Sequence, residues 1–180
     1  MSVAVDPSGN FAYVADFNGN GTTGYVSAYT INSSTGALTA ITGSPFTAGN
    51  QPESVMVDPS GSSVCVANFF DNTVSGYSID SSTGALTALS GSPYKTGNNT
   101  EPFSVTVDPT GQFLCEANAL ANTVACFSID PHIRKSDSAG NQHGLLLERR
   151  PRLSRWTHQA NSSMSPIRAE AYPHSAPAVP

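Results

Sequence analysis

The sequence predicts an all-β protein: a partial β-propeller of four-stranded antiparallel blades, about two and a half of them, followed by a tail of different character. Three observations carry this. Apolar residues fall in short alternating runs bounded by Gly, Pro, Asn and Asp, the pattern of half-buried strands. A unit of about fifty residues repeats, a period that suits propeller blades. Finally, composition breaks at Asp130: up to and including it stand ten carboxylates against one cation, Lys95, with no Arg, His or Trp, whereas every Arg, every His and the single Trp come later.

The repeat gives the elements in order. SVAVDPSGNFAYVADF (2–17) returns as SVMVDPSGSSVCVANF (54–69) and as SVTVDPTGQFLCEANA (104–119), and SSTGALTAITGSPF (33–46) returns as SSTGALTALSGSPY (81–94). The first unit reads as strands over 2–5, 11–15, 25–31 and 37–41. Between the first two strands, Asp6, Pro7, Ser8 and Gly9 are the residues of a type I turn: Asp caps it, Pro presets φ and Gly closes. The same turn recurs at 58–61 and 108–111, and Ser34-Thr35-Gly36 and Ser82-Thr83-Gly84 connect third to fourth strands. The organisation is therefore blades over 1–53 and 54–103, an incomplete blade over 104–130, and a tail over 131–180 expected to be disordered. One such unit cannot bury both apolar faces; stacked radially, each covers its neighbour. An open arc should expose apolar faces and strand edges at its ends and so be prone to association.

The pattern SVxVDPSGxxxYVAN, with NTVSGYSIDSSTGALTALSGSPY (72–94), resembles the lactonase-type seven-bladed propellers, the 6-phosphogluconolactonase-like and YVTN-repeat proteins. The resemblance covers residues 2–130 and implies the fold. This sequence departs from the pattern at CVAN (65–68) and CEAN (115–118), where Tyr would be typical. For function it implies a fragment of a lactone hydrolase, inactive by itself, whose partners are the missing blades and a sugar lactone. The alternative is a propeller that presents loops to a protein or glycan. No catalytic residue carries over. Hydrolysing a lactone needs a group to polarise the carbonyl and one to activate water, and a sugar phosphate calls for a cationic clamp. Before Asp130 the chain offers only Lys95 and the scattered carboxylates Asp16, Glu53, Asp71, Glu101 and Glu116, whose plainer roles are solubility and loop hydrogen bonding.

The strongest local motif is DFNGNG (16–21), which matches the first half of a calcium loop with Asp16, Asn18 and Asn20 as oxygen ligands. The position for the bidentate Glu holds Ser27, and a Gly/Asn hairpin loop is the favoured reading; no cofactor or metal is expected. The three cysteines suggest neither a ligand cluster nor an even disulfide framework. Cys65 and Cys115 stand where Tyr13 does, Cys126 matches Gly76 and Ala28, and all three read as small buried strand residues. No basic stripe interleaved with aromatics invites nucleic acid, and no apolar run is long enough to span a membrane. Met1 leads into SVAVDP without a charged and apolar leader, which points to the cytoplasm for the chain as it stands and leaves an exported parent open. Sequons at 32–34 and 98–100 are expected by chance in so polar a chain.

The tail is best explained by the genetic code. Joining the last base of each codon to the first two of the next, the junction of Trp156 and Thr157 must read GAC, an aspartate, with no codon choice. Around it degeneracy permits SVDPSGKFVYVANT from Ser154 to Arg168, the start of a further blade in register with 54–67. In the other shifted frame, 132–139 permits TSGSLTAL, which parallels STGALTAL at 82–89. Residues 131–180 therefore read as blade sequence translated out of frame. The competing readings are a basic tail built on Arg149, Arg150, Arg152 and Arg155, with LLLER (145–149) nucleating a helix, or an unstructured polar tail. The four histidines, all in this segment, are too widely spaced for a local metal motif.

Overall fold

The computed structural model describes residues 1–17 and 23–129, together with the backbone of 148–149. Its strands form three antiparallel sheets, the blades of a partial propeller. Blade 1 holds β1 (Ser2–Val5), β2 (Phe11–Asp16), β3 (Tyr25–Ile31), β4 (Leu38–Ala40) and β5 (Phe46–Thr47). Blade 2 repeats it with β6 (Pro52–Val57), β7 (Ser63–Asn68), β8 (Thr73–Ile79), β9 (Leu86–Ala88) and β10 (Tyr94–Lys95). Blade 3 holds β11 (Pro102–Val107), β12 (Phe113–Asn118), β13 (Thr123–Ser128) and β14 (Glu148–Arg149). Pairing runs in sequence order across each sheet, β1-β2-β3-β4 and its equivalents.

Two details differ from the sequence reading. The fourth strand of blades 1 and 2 is split: β4 and β5 both pair with β3, and β9 and β10 with β8. The break falls at Gly43-Ser44-Pro45 and Gly91-Ser92-Pro93, where the Ser-Pro bonds are cis and the serine hydroxyls accept the amides of Ala28 and Gly76, 2.9 and 3.0 Å. A proline has no amide to give the ladder, so the strand steps away and rejoins. The second difference concerns the tail. Glu148 and Arg149 pair with Ser128 and Phe127 as a strand at the outer edge of blade 3, not as a turn of helix. The remainder of 131–180, and with it the disorder and frame-slip expectations, lies outside the described residues.

Side-chain alternation gives each sheet two apolar faces. The face blade 1 turns towards blade 2 presents Phe11, Tyr13, Ala15, Val26 and Ala28, packed on Val55, Val64, Val66, Tyr77 and Leu86. One face further on, Cys65, Ala67 and Val74 meet Val105, Val107, Leu114 and Phe127. Hydrogen bonds fix the stack: Tyr13 Oη donates to Gly84 O at 2.9 Å and Tyr77 Oη to Thr47 O at 2.6 Å. The innermost strands β1, β6 and β11 are tied in series, Val55 N donating to Ser2 Oγ at 3.3 Å and Val105 N to Ser54 Oγ at 3.2 Å.

The cysteine reading needs correction. Cys115 and Cys126 form a disulfide across β12 and β13, their Cα atoms 4.0 Å apart. Tyr13/Ala28, Cys65/Gly76 and Cys115/Cys126 are the same directly opposed pair in successive blades, so two cysteines placed there must touch. Cys65, 3% exposed, fills its position as a small apolar group, as expected.

Candidate functional site

Each sheet has two ends. At one, which we term the turn rim, lie the β1–β2 and β3–β4 turns and their equivalents. Asp58, 1% exposed, accepts from the amides and hydroxyls of Ser60 and Ser62 and from the Ser63 hydroxyl. Burial would raise its pKa, but these hydrogen bonds outweigh burial and hold it below the usual 3.8. Asp6 is lowered in the same way against burial, by Ser8, Phe11 and Asn10. Burial, then the nearby Asp6 charge, pushes the Tyr13 phenol up, so it stays a donor to Gly84.

The opposite end, the loop rim, gathers the β7–β8 and β12–β13 loops and the linkers between blades. It is held by side chains reaching from blade to linker. Asn68, fully buried, accepts from Gly49 N at 3.1 Å and donates to Thr73 and Ser75 hydroxyls; Asp71 Oδ2 accepts from Asn50 N at 2.7 Å. In the next linker Asn72 Oδ1 takes this part, accepting from Thr100 N at 2.7 Å and Glu101 N at 2.9 Å. The linker before blade 3 is longer, and Asn118, the equivalent of Asn68, keeps a buried Oδ1 without a hydrogen-bond partner among the described residues.

Two residues stand out of the ladder on this rim. Register shifts between Pro52 and Ser54, and between Pro102 and Ser104, leave Glu53 and Phe103 as extra residues at the rim ends of β6 and β11. Such irregularities re-aim side chains. Glu53 accepts from Gln51 Nε2 at 2.5 Å and lies 4.0 Å from the N-terminal ammonium. Phe103 stacks edge-on against Phe69, centroids 6.3 Å apart, and Phe69 against Phe70 at 5.3 Å. Phe70, Phe103 and Leu120 are each more than half exposed.

The structure thus brings four of the five carboxylates singled out in the sequence to one rim: Asp16 at the end of β2, Glu53, Asp71 and Glu101. Glu116 is not among them. It sits on β12 at the position of Val14 and Val66, 1% exposed, on the face towards blade 2. Of the calcium-loop candidates, Asp16 closes β2 opposite Tyr25, while Asn18 and Asn20 lie outside the described residues. Among the described residues no cluster of three or more His, Cys, Asp or Glu could hold a metal ion. Lys95 is exposed on β10 beside Thr73, at the same rim but on an outer strand. Sequence reasoning passed over the aromatic group. Its signal was the repeat itself, which sets Phe103 where Glu53 stands and Phe69-Phe70 where blade 3 has Ala119-Leu120.

A family model described as lactonase, seven-bladed β-propeller, matches residues 2–99. Among solved structures, a protein of Bacteroides uniformis described as a 6-phosphogluconolactonase superposes with a TM-score of 0.60 at 15% identity, over 82% of this chain and 41% of that one. A second so described, from Bacteroides fragilis, gives 0.58 at 21% identity over 79% and 38%. The periplasmic gluconolactonase PpgL of Pseudomonas aeruginosa gives 0.59 at 18% identity over 80% and 41%. The chain spans about two-fifths of the length of these structures. No curated protein sequence matches the chain.

Proposed function

Because the chain belongs to the lactonase family of seven-bladed β-propellers, we propose that it supplies three blades of a 6-phosphogluconolactonase-like hydrolase and is inactive without the others. The observation that carries this is the loop rim, which bears Glu53 and Glu101 at the starts of the innermost strands and Asp71 in the β7–β8 loop, with Lys95 the one side-chain cation among the described residues of that rim. Lactone hydrolysis adds water to the ring carbonyl and breaks the ring C–O bond, leaving a carboxylate, a hydroxyl and a proton. A rim carboxylate can accept the proton of the attacking water. Among the described residues of this rim only Lys95, on an outer strand, carries a side-chain cation, so the rest of a phosphate clamp and the oxyanion donors are assigned to other blades.

The test is hydrolysis of 6-phosphogluconolactone and of the unphosphorylated lactone, by this chain and by a chain extended with the downstream blades in frame. The expected outcome is the spontaneous rate for the chain alone and turnover for the extended protein. Resequencing across the codons for 130–145 belongs to the same test: a clean frame with no homologous blades downstream removes the frame-slip reading of 131–180. A second reading, a propeller presenting loops to a protein or glycan, has the exposed Phe70, Phe103 and Leu120 in its favour. Absence of turnover by the extended protein on every sugar lactone would select it.

A further inference from the structure

The same repeat positions meet three different environments. Val3, Val55 and Val105 are equivalent, yet Val3 is 65% exposed and the other two are 5% exposed. Leu38 and Leu86 show 56% against 7%. On the other side of the sheets, Val26 and Val74 are fully buried while their equivalent Val124 is 44% exposed, and Phe113 is 38% exposed where Phe11 is 8%. Residue chemistry is held nearly constant, so the difference lies in whether a neighbouring blade stands there. Blade 1 exposes the face that blades 2 and 3 turn to their predecessor, and blade 3 exposes the face that blades 1 and 2 turn to their successor. They are two halves of an interface that occurs twice within the chain.

From this continuity we infer that a second copy of the chain docks head to tail, blade 3 of one copy against blade 1 of the next. Phe113, Ala117 and Val124 then meet Val3, Val5 and Leu38, and Ser104 Oγ accepts the Val3 amide as Ser2 accepts from Val55 and Ser54 from Val105. The contact is heterologous, so each docked copy leaves one face of either kind free. Three blades per copy do not divide the seven of the family ring, so two copies would fill six positions and leave a gap too narrow for a third. The inference does not depend on the hydrolase reading.

The test uses the full chain in sedimentation velocity over a concentration series, with Val3→Asp and Val124→Asp. Both sites are solvent-exposed in the single chain, so each variant should fold, checked by circular dichroism. Each alone should weaken association about a hundredfold, because a charge is buried unpaired. An equimolar mixture should form a species of two copies and no larger, since each variant keeps the face the other has lost. Val3→Ser and Val124→Ser, expected to weaken it about tenfold, replace the charged variants should either misfold. A wild-type chain that stays monomeric throughout, as when residues 131–180 cover a face, overturns the inference. So does a mixture that does not pair, or a single variant that associates as wild type.

Discussion

The two rims of the propeller reverse the same strands with different chemistry. On the turn rim the left-handed positions are glycines, Gly9, Gly36, Gly61, Gly84 and Gly111, with φ between 70° and 75°. Among the described residues of the loop rim they are Gln51, Asn72, Asn99, Glu101 and Asn122, with φ between 49° and 55°, alongside one glycine, Gly97. A side chain in that region costs about 1–2 kcal/mol that a glycine avoids. The turn rim repeats one low-strain solution and satisfies its carboxylates with local hydrogen bonds, Asp6 and Asp58 buried and Asp80 exposed. The loop rim carries strain, register shifts and exposed aromatics, and it varies from blade to blade. Three of its five left-handed side chains are asparagines, which tolerate that region best after glycine, and Asn72 also holds the linker through its side chain, so the fuller cost falls on Gln51 and Glu101.

The largest test of this contrast removes one carboxylate from each rim. Asp58→Ala strands the Ser60, Ser62 and Ser63 donors in a buried turn and should cost about 3 kcal/mol in denaturant unfolding, whereas Asp71→Ala, with one exposed amide to release, should cost less than about 1 kcal/mol. Equal losses would erase the distinction. The same turn predicts acid lability. Asp58 is lowered in the folded state from an unfolded value of 3.8, so its contribution is complete above that value and is lost as pH falls through the lower folded one. Asp6, Asp80 and Asp108 are lowered too, so the melting temperature should hold steady above about pH 5 and drop below about pH 4, less steeply in Asp58→Ala.

Next come two equivalent glycines of the turn rim. A methyl group at Gly84 would lie 2.4 Å from Phe11 Cδ1 and 2.7 Å from Ile41 Cδ1 on blade 1, whereas one at Gly36 meets nothing within 4 Å. Gly84→Ala should therefore cost about 3 kcal/mol and Gly36→Ala about 1 kcal/mol, the left-handed penalty alone. Similar costs would mean that blades 1 and 2 do not pack as described. The smallest effect has the opposite sign. Glu101→Gly relieves a left-handed side chain and should raise stability by about 0.5 kcal/mol, after the entropy a glycine loses on folding. A loss would place Glu101 among the structural residues of the linker and weaken its place on the functional rim.

Much of this was legible beforehand. The strands of blade 1 fall where alternation and the Asp-Pro-Ser-Gly and Ser-Thr-Gly turns put them, because those signals are local. The second segment of the fourth strand, β5 and β10, was missed because the strand read over 37–41 stops before Ser44-Pro45, and only two paired residues follow the break. The disulfide escaped because Cys115 and Cys126 were compared with their counterparts in other blades and not with each other across the hairpin. Glu116 looked like a loop carboxylate, yet strand parity turns it to the face where Val14 and Val66 stand in the other blades.

By itself the sequence determined the repeat, the turn chemistry, the all-β class and the family, since each rests on residues close together in the chain. Only the tertiary structure decided which strand ends share a rim, that Glu53 and Phe103 leave the ladder there, and that Val3 and Val124 are exposed while their equivalents are buried. Those outcomes depend on how one sheet sits against the next, and long-range packing is set by neighbours that no local pattern names.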